Sequence, residues 1–440
     1  MTMTTPASIF RCFILLILCF FSTAPKACGE VWSLDSCISY ALDHNLDVKG
    51  ALIERCRGSQ SVTEAKDRFL PTLSAGASQG WSYGRGLTSQ NTYANRNTSS
   101  TGWNASLQLP IFQGLSALRQ LQQARASERN LDLRLENVRD EVTLSVISYY
   151  FQALYCREML EVRREELSLT QVQLKRQEAL LEGGKIPEAD VLQARSQVAS
   201  AEVSVVNATG DLDMAMLDLK RALELDDSTP LELAAVDTDS LPPLPSADRV
   251  YARALESNSS ILVSRSGVEV ADKSVSTAMT GYLPRLSFNA SLGSNYYTMS
   301  GVVSDPFGRQ MRNNLSKSLG FSLSIPIFDA FSTRNQVRQA RLQRQVAELE
   351  VERSQSNLLH TIRQTHTEAS NALARYNSSL VAVEAARVAL EAMTYKSTYG
   401  RANATEWEQA RSTYTNALSE KVSVTYQYLL KSRTLDFYNR

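Results

Sequence analysis

The chain has 440 residues, room for two or three ordinary domains, and its 46 Lys+Arg are balanced by 46 Asp+Glu. That balance excludes recruitment to nucleic acid by net charge. Gly and Pro are sparse, at 19 and 12 residues, which is the composition of long helices with few turns.

At the N-terminus Arg11 precedes an apolar run from Cys12 to Phe21, and small residues follow through Ala27 and Gly29. This reads as a secretory signal peptide over residues 1–29, with the mature chain beginning between Cys28 and Val31. A signal anchor is the rival reading, but the run is short for a bilayer span, and no later segment is apolar for long enough to be a membrane helix. Cys28 stands where a lipidated first residue would, although Pro25 and Lys26 depart from that pattern. Cys37, Cys56 and Cys156 lack metal-ligand spacing. Cys37 and Cys56 either pair in an oxidising compartment or, more plainly, all three are buried thiols.

Residues 34–68 predict a helix broken near Asn45 and ended by Leu70-Pro71, because the residue before a proline is pushed out of the helical region. From Leu73 the apolar period becomes two. Leu73, Ala75, Ala77, Trp81 and Tyr83 oppose Ser74, Gly76, Ser78, Gly80 and Ser82. Trp103, Ala105, Leu107, Leu109 and Ile111 oppose Asn104, Ser106 and Gln108. This predicts strands near 72–83 and 103–112 joined by an exposed polar loop over 84–101. Residues 115–182 then contain neither Gly nor Pro, and at 1.5 Å per residue such a helix reaches about 100 Å. Gly183-Gly184 break it, and Pro187 suits the first turn of a return helix that completes a hairpin over 114–224. Residues 225–248, rich in Pro, Asp and Ser, read as a linker or small side element.

The parts then recur in the same order. Phe69-Leu70-Pro71 returns as Tyr282-Leu283-Pro284, and Pro110-Ile111-Phe112 as Pro326-Ile327-Phe328. Gly184 with Gln193-Ala194-Arg195 returns as Gly400 with Gln409-Ala410-Arg411. Strands are predicted near 285–297 and 318–328 around a polar loop over 298–316, followed by a second hairpin over 329–440. The chain thus divides into repeats at 30–224 and 249–440. Four strands of about ten residues, apolar on one face and small-polar on the other, suit a transmembrane β-barrel or a half-buried soluble sheet. Export, and aromatic residues near the strand ends, favour the barrel, with Trp81, Tyr83, Trp103 and Phe288 as interfacial anchors. Four strands cannot enclose a lumen and open edges are not tolerated in lipid, so several chains must pool them; three would supply twelve.

With these residues in place, the chain resembles the TolC-like outer-membrane channel proteins from Trp32 to about Tyr438. The resemblance rests on the duplicated order of parts and on two helix-return segments, Gly184-Lys185-Ile186-Pro187-Glu188-Ala189-Asp190 and the looser copy from Gly400 to Arg411. It implies an α+β membrane protein: a homotrimeric twelve-stranded β-barrel, four strands per chain, continued by a long α-helical periplasmic barrel with an internal two-fold repeat. It further implies hairpin tips, at Gly184 and Gly400, that meet a periplasmic adaptor of an inner-membrane transporter; Lys185 and Arg401 beside them either contact the adaptor or, more plainly, neutralise helix C-terminal dipoles. Two positions after the second tip commonly carry pore-lining carboxylates in that family; this chain has Glu406 and Gln409 there, and Asp190 matches an acidic position of the first copy. Three copies of a carboxylate around an axis attract cations. The plainer reading makes Glu406 and Glu408 exposed residues that stabilise a first helical turn.

His44, His360 and His366 have no metal-ligand spacing, and no phosphate loop or nucleophile elbow occurs. The expectation is a channel without cofactor or metal rather than an enzyme. Its function is expected to be the outer-membrane exit of a tripartite efflux pump, with a protein-secretion exit duct or a non-conducting envelope spacer as alternatives.

Overall fold

The computed structural model describes residues 31–87, 91–238, 240–398 and 404–440. The expected signal peptide, Cys28, Gly400 and Arg401 lie outside the described residues. A short strand β1 (Val31–Trp32) leads into helices α1 (Leu34–His44) and α2 (Leu46–Asp67). Asn45 makes the break between them. Its N–H donates to Ala41 O at 2.8 Å to end α1, and its side-chain oxygen accepts from the Asp47 amide at 2.8 Å to start α2.

Strands β2 (Thr72–Ser82), β3 (Arg85–Leu87), β4 (Tyr93–Asn95) and β5 (Thr98–Phe112) precede the rod α3 (Ser116–Glu182) and its return helix α4 (Glu188–Leu223). After β6 (Glu232–Leu233) come α5 (Ala247–Ser257), α6 (Ser259–Met279) and a 3₁₀ turn at Thr280–Tyr282. Strand β7 (Arg285–Met299), helix α7 (Phe307–Asn313) and strand β8 (Ser316–Ser324) follow. The second rod, α8 (Ser332–Thr398), and return helix α9 (Ala404–Tyr438) end the chain. Each rod has 67 residues, a length of about 100 Å at the α-helical rise.

The two pairs of long strands form one antiparallel sheet in the order β2-β5-β7-β8. Three expectations about it need correcting. Strand β5 begins at Thr98 rather than Trp103, because Thr98-Ser99-Ser100-Thr101-Gly102 pair with Ser82 to Ser78 of β2 although both faces are polar there. Strand β8 ends at Ser324 rather than 328; Pro326 has no N–H to give a ladder. The loops are also not bare. Strands β3 and β4 form a small hairpin, and α7 packs on β7, with Gln310 bridging the Tyr297 amide at 3.0 Å and carbonyl at 3.1 Å. Pro110 is accommodated inside β5 because β2 has already ended there and the register with β7 shifts between Pro110 and Phe112.

At mid-height, Cys37, Ala41, Val146, Phe151, Leu154 and Leu219 form a core between α1, α3 and α4. Val250, Ile261, Ile362, Ala369, Tyr428 and Leu435 form a second one between α5, α6, α8 and α9. The segment 225–248 is stitched onto both. Strand β6 pairs in parallel with β1, Tyr150 donates to Ala234 O at 3.0 Å, Arg157 donates to Leu233 O at 2.9 Å, and Tyr428 donates to Pro242 O. It is therefore a built side element, which saturates backbone groups that slack chain would leave to water. Cys37, Cys56 and Cys156 are all free, but only two are buried. Cys56 is exposed, contrary to expectation, while burial pushes the Cys37 thiol up to about 12.

Candidate functional site

The register of the sheet sorts its residues by chemistry. On one face Ser74, Ser106, Ser291 and Ser318 form a continuous rung, flanked by the rung Gly76, Asn104, Gly293, Ser316. Hydroxyls bond across it, Ser74 to Ser106 at 2.7 Å and Ser291 to Ser318 at 2.7 Å. On the other face Leu73, Leu107, Ala290 and Leu319 form the matching rung, and Phe288 packs against Phe321 at a tilt of 52° with centroids 5.3 Å apart. In the single chain Leu319 is 78% exposed and Phe321 72% exposed, as are Trp81 and Tyr83 to similar extents. A monomer in water would not leave such a continuous apolar face uncovered. Among the described residues, strands β2 and β8 are also the sheet's edges, with no strand paired to their outer sides.

Below the sheet, α2, α3, α6 and α8 pack side by side in that order; further down each rod packs on its own return helix, and α3 also packs on α9. The first return is a complete glycine cap. Gly184 adopts φ +65°, its amide donates to Leu181 O at 2.8 Å, and the Lys185 amide reaches back to Leu180 O at 2.9 Å. Gly184 and Lys185 are exposed, and Asp190 is half-buried in the first turn of α4. On α9, Glu406 lies in the first turn and is exposed, and Gln409, three residues on and therefore on the same helix face, is exposed too.

Glu408 does not share that face. It is half-buried and bonded to Arg411, whose Nε donates at 3.0 Å, and so is not the exposed first-turn residue that the sequence predicts. Arg411 also donates to Glu166 of α3 at 2.7 Å, and Glu166 accepts from Arg163 at 2.9 Å. Burial pushes the Glu166 carboxyl up, but Arg411 and Arg163 outweigh it and hold it below the ordinary carboxylate range. Burial pulls the Arg411 guanidinium down, and Glu408 and Glu166 together hold it above its ordinary value. Tyr414 donates to Glu165 at 3.1 Å, and the buried Trp407 donates to Thr394 Oγ1 at 3.0 Å. The motif Gln409-Ala410-Arg411 marked Arg411 in the sequence, but nothing there marked Glu166, 245 residues away.

Among the described residues no helix is long and apolar enough to cross a membrane, and no His, Cys, Asp and Glu residues cluster as metal ligands. What the fold offers is a two-faced sheet over long helical rods, the architecture of an outer-membrane channel subunit. Residues 37–224 and 250–438 match the outer membrane efflux protein family, and the chain belongs to it. It is 25% identical over 394 residues to outer membrane protein TolC of Escherichia coli K12, covering 88% of this chain and 78% of that protein. It is 23% identical over 407 residues to the alkaline protease secretion protein AprF of Pseudomonas aeruginosa, covering 90% and 82%. The fold is that of the Campylobacter jejuni CmeC outer membrane channel, with a TM-score of 0.76 over 92% of this chain and 86% of that one at 16% identity. The protein is an outer-membrane transport channel subunit that extends into the periplasm.

Proposed function

We propose that three copies of this chain close into one twelve-stranded barrel, continued by the rods as a periplasmic tunnel, and that this duct is the outer-membrane exit of a tripartite efflux pump. The observation that carries the reading is the sheet itself: four strands with two free edges, an exposed apolar face and a small-polar face. Strands alternate in direction, so β8 of one copy meets β2 of the next antiparallel, and closure removes every edge, as a bilayer requires. The repeats at 30–224 and 249–440 then each contribute two strands and one helical hairpin. In this reading the serine rungs line a wet lumen and the leucine rungs face lipid. A cysteine placed on β2 and another on β8 should cross-link between chains and give a covalent trimer. A covalent ladder of dimers only would overturn the three-fold closure.

The hairpin tips meet a periplasmic adaptor that links the duct to an energy-coupled inner-membrane transporter, with Gly184, Lys185, Gly400 and Arg401 at the contact. Glu406 supplies a carboxylate ring at the narrow end, with Asp190 and Gln409 nearby along the wall. In reconstituted channels Glu406→Ala should weaken block by divalent cations; unchanged block would remove Glu406 from the constriction. The name of AprF supports a second reading, the exit duct of a protein-secretion system. Cross-linking in cells from Lys185→Cys, with the native cysteines replaced, separates the two. An adaptor of a drug-exporting pump supports efflux, and an adaptor of a protein exporter supports secretion.

A further inference from the structure

Where the strands run into the rods, the chain carries an arrangement that channel formation does not require. Helix N-termini favour acidic residues, because the macrodipole is positive there. Yet α3 has none before Glu128 and α8 none before Glu348, while Arg119, Arg334, Arg338 and Arg341 occupy these stretches. Asp329, just before α8, is taken up by the Thr333 amide at 2.8 Å and hydroxyl. Among the described residues none of the four arginines has a carboxylate within ion-pair distance, whereas the next one along α8, Arg344, pairs with Asp272 at 3.5 Å and Glu348 at 3.3 Å.

The four arginines converge on one groove of about 800 Å³ over α6, between α3 and α8. Leu115, Met279, Tyr282 and Leu283 give the rest of its wall an exposed apolar part, with Ser276 and Thr280 between them. The groove sits inside the helix row of one chain, not at its free edges α2 and α8's outer side. A separate hollow takes in Gln108, Ser287, Ser322 and Ser324 of the polar sheet face together with Gln336, which lies two residues, about 200°, round α8 from Arg334 and Arg338. The arginine groove therefore opens on the side of the apolar face, over the first two to three turns of α8 below the strands.

We infer that this groove is a binding site for an anionic phospholipid of the periplasmic leaflet, its phosphate held by Arg119, Arg334, Arg338 and Arg341 and its first acyl segments against Met279, Tyr282 and Leu283. Guanidinium groups match phosphate geometry, and their usual counter-charge is missing within the chain. Two helix N-termini add to the same positive field. The inference rests on the reading that the sheet lies in the bilayer, because that reading sets the groove at headgroup depth.

The test uses the assembled full-length protein, delipidated in neutral detergent, with bound lipid counted by native mass spectrometry. Phosphatidylglycerol should be retained over phosphatidylcholine of the same acyl chains, and R334Q/R338Q should weaken that retention on the order of tenfold, as loss of charge-assisted bonds to phosphate requires. R334K/R338K should recover most of it, and circular dichroism of both variants should match wild type. Equal retention of phosphatidylglycerol by wild type and R334Q/R338Q overturns the site. Inorganic phosphate that displaces the lipid completely overturns the lipid in favour of a plain anion site. Flotation of the wild-type protein with vesicles separates the two levels. A protein that does not float refutes the membrane reading and the site with it; one that floats without headgroup preference refutes the site alone.

Discussion

Arg195 and Arg411 close the same Gln-Ala-Arg segment in the two repeats, a turn or two into their return helices, and each finds a glutamate on a rod. Arg195 pairs with Glu178 of its own hairpin at 3.0 Å, with its side chain 61% exposed. Arg411 crosses to Glu166 of the other repeat's rod, with its side chain only 9% exposed, and holds Glu408 as well. Duplicated sequence thus yields two different devices. Arg195 ties its return helix to its own rod through water-screened charge, whereas Arg411 ties its return helix to the opposite repeat's rod through a desolvated one. The asymmetry comes from packing: α9 lies against α3, which buries Arg411, whereas the Arg195 side chain stays 61% exposed.

The comparison breaks most sharply on removal of the guanidinium. Arg411→Ala leaves Glu166 and Glu408 facing one another across a partly buried site, a change that costs about 3 kcal/mol when a buried pair is broken. Hydrogen exchange of amides in 404–416 should accelerate accordingly, with 188–200 unchanged. Rates unchanged in 404–416 would show that Arg411 does not lock the hairpin. Acid should act in the same direction. Because the folded Glu166 is held below the ordinary carboxylate range, its contribution is complete above that range and is lost as pH falls through its lowered value. Protection of 404–416 should therefore persist through mildly acidic pH and fall only below the ordinary carboxylate range. A loss centred near neutrality would exclude Glu166 as the titrating group.

A second pair of equivalent positions lies where sheet meets rod. Gly114-Leu115 and Ala330-Phe331 all have positive φ, at +59° and 62° in the first repeat and 52° and 63° in the second. The chain makes the same left-handed turn twice, with glycine at the first step in one copy and alanine in the other. A Cβ on Gly114 would meet Leu283 Cβ at 2.7 Å, so Gly114→Ala adds a clash to left-handed strain of about 1–2 kcal/mol. Its thermal midpoint should fall below wild type, and an unchanged midpoint would mean that Leu283 yields freely.

Much of this was legible beforehand, for reasons that differ by element. Freedom from Gly and Pro marked the first rod to within a residue of Ser116–Glu182, and the repeat carried the same hairpin to the second copy, whose rod is Ser332–Thr398. Alternation marked the sheet faces, because a period of two survives wherever one face is apolar. It failed over Thr98–Gly102, which is polar on both faces, and over Phe307–Asn313, whose seven residues are too few to show a helical period. In the candidate site, Glu406 and Gln409 were singled out by the family resemblance, and the structure adds that both are exposed and three residues apart on α9. The Arg411–Glu166 contact was not legible, since a single ion pair between distant segments leaves no periodic trace. The arginine groove was hidden for the same reason: its four guanidinium groups come from two repeats.

The smallest effects are expected where each repeat is already relaxed. Arg195→Ala removes an exposed pair, worth about 0.2–1 kcal/mol, and salt should erase most of that. Ala330→Gly has opposing parts. Relief of left-handed strain favours the folded chain by about 1–2 kcal/mol, while the freer unfolded chain returns about 0.4–1 kcal/mol of it. The net is a stabilisation of about 0.5 kcal/mol, read as a small rise in thermal midpoint against a clear fall for Gly114→Ala. Should both substitutions lower the midpoint alike, the two junctions are not equivalent turns, and Ala330 makes a contact through its Cβ that outweighs the strain of its backbone.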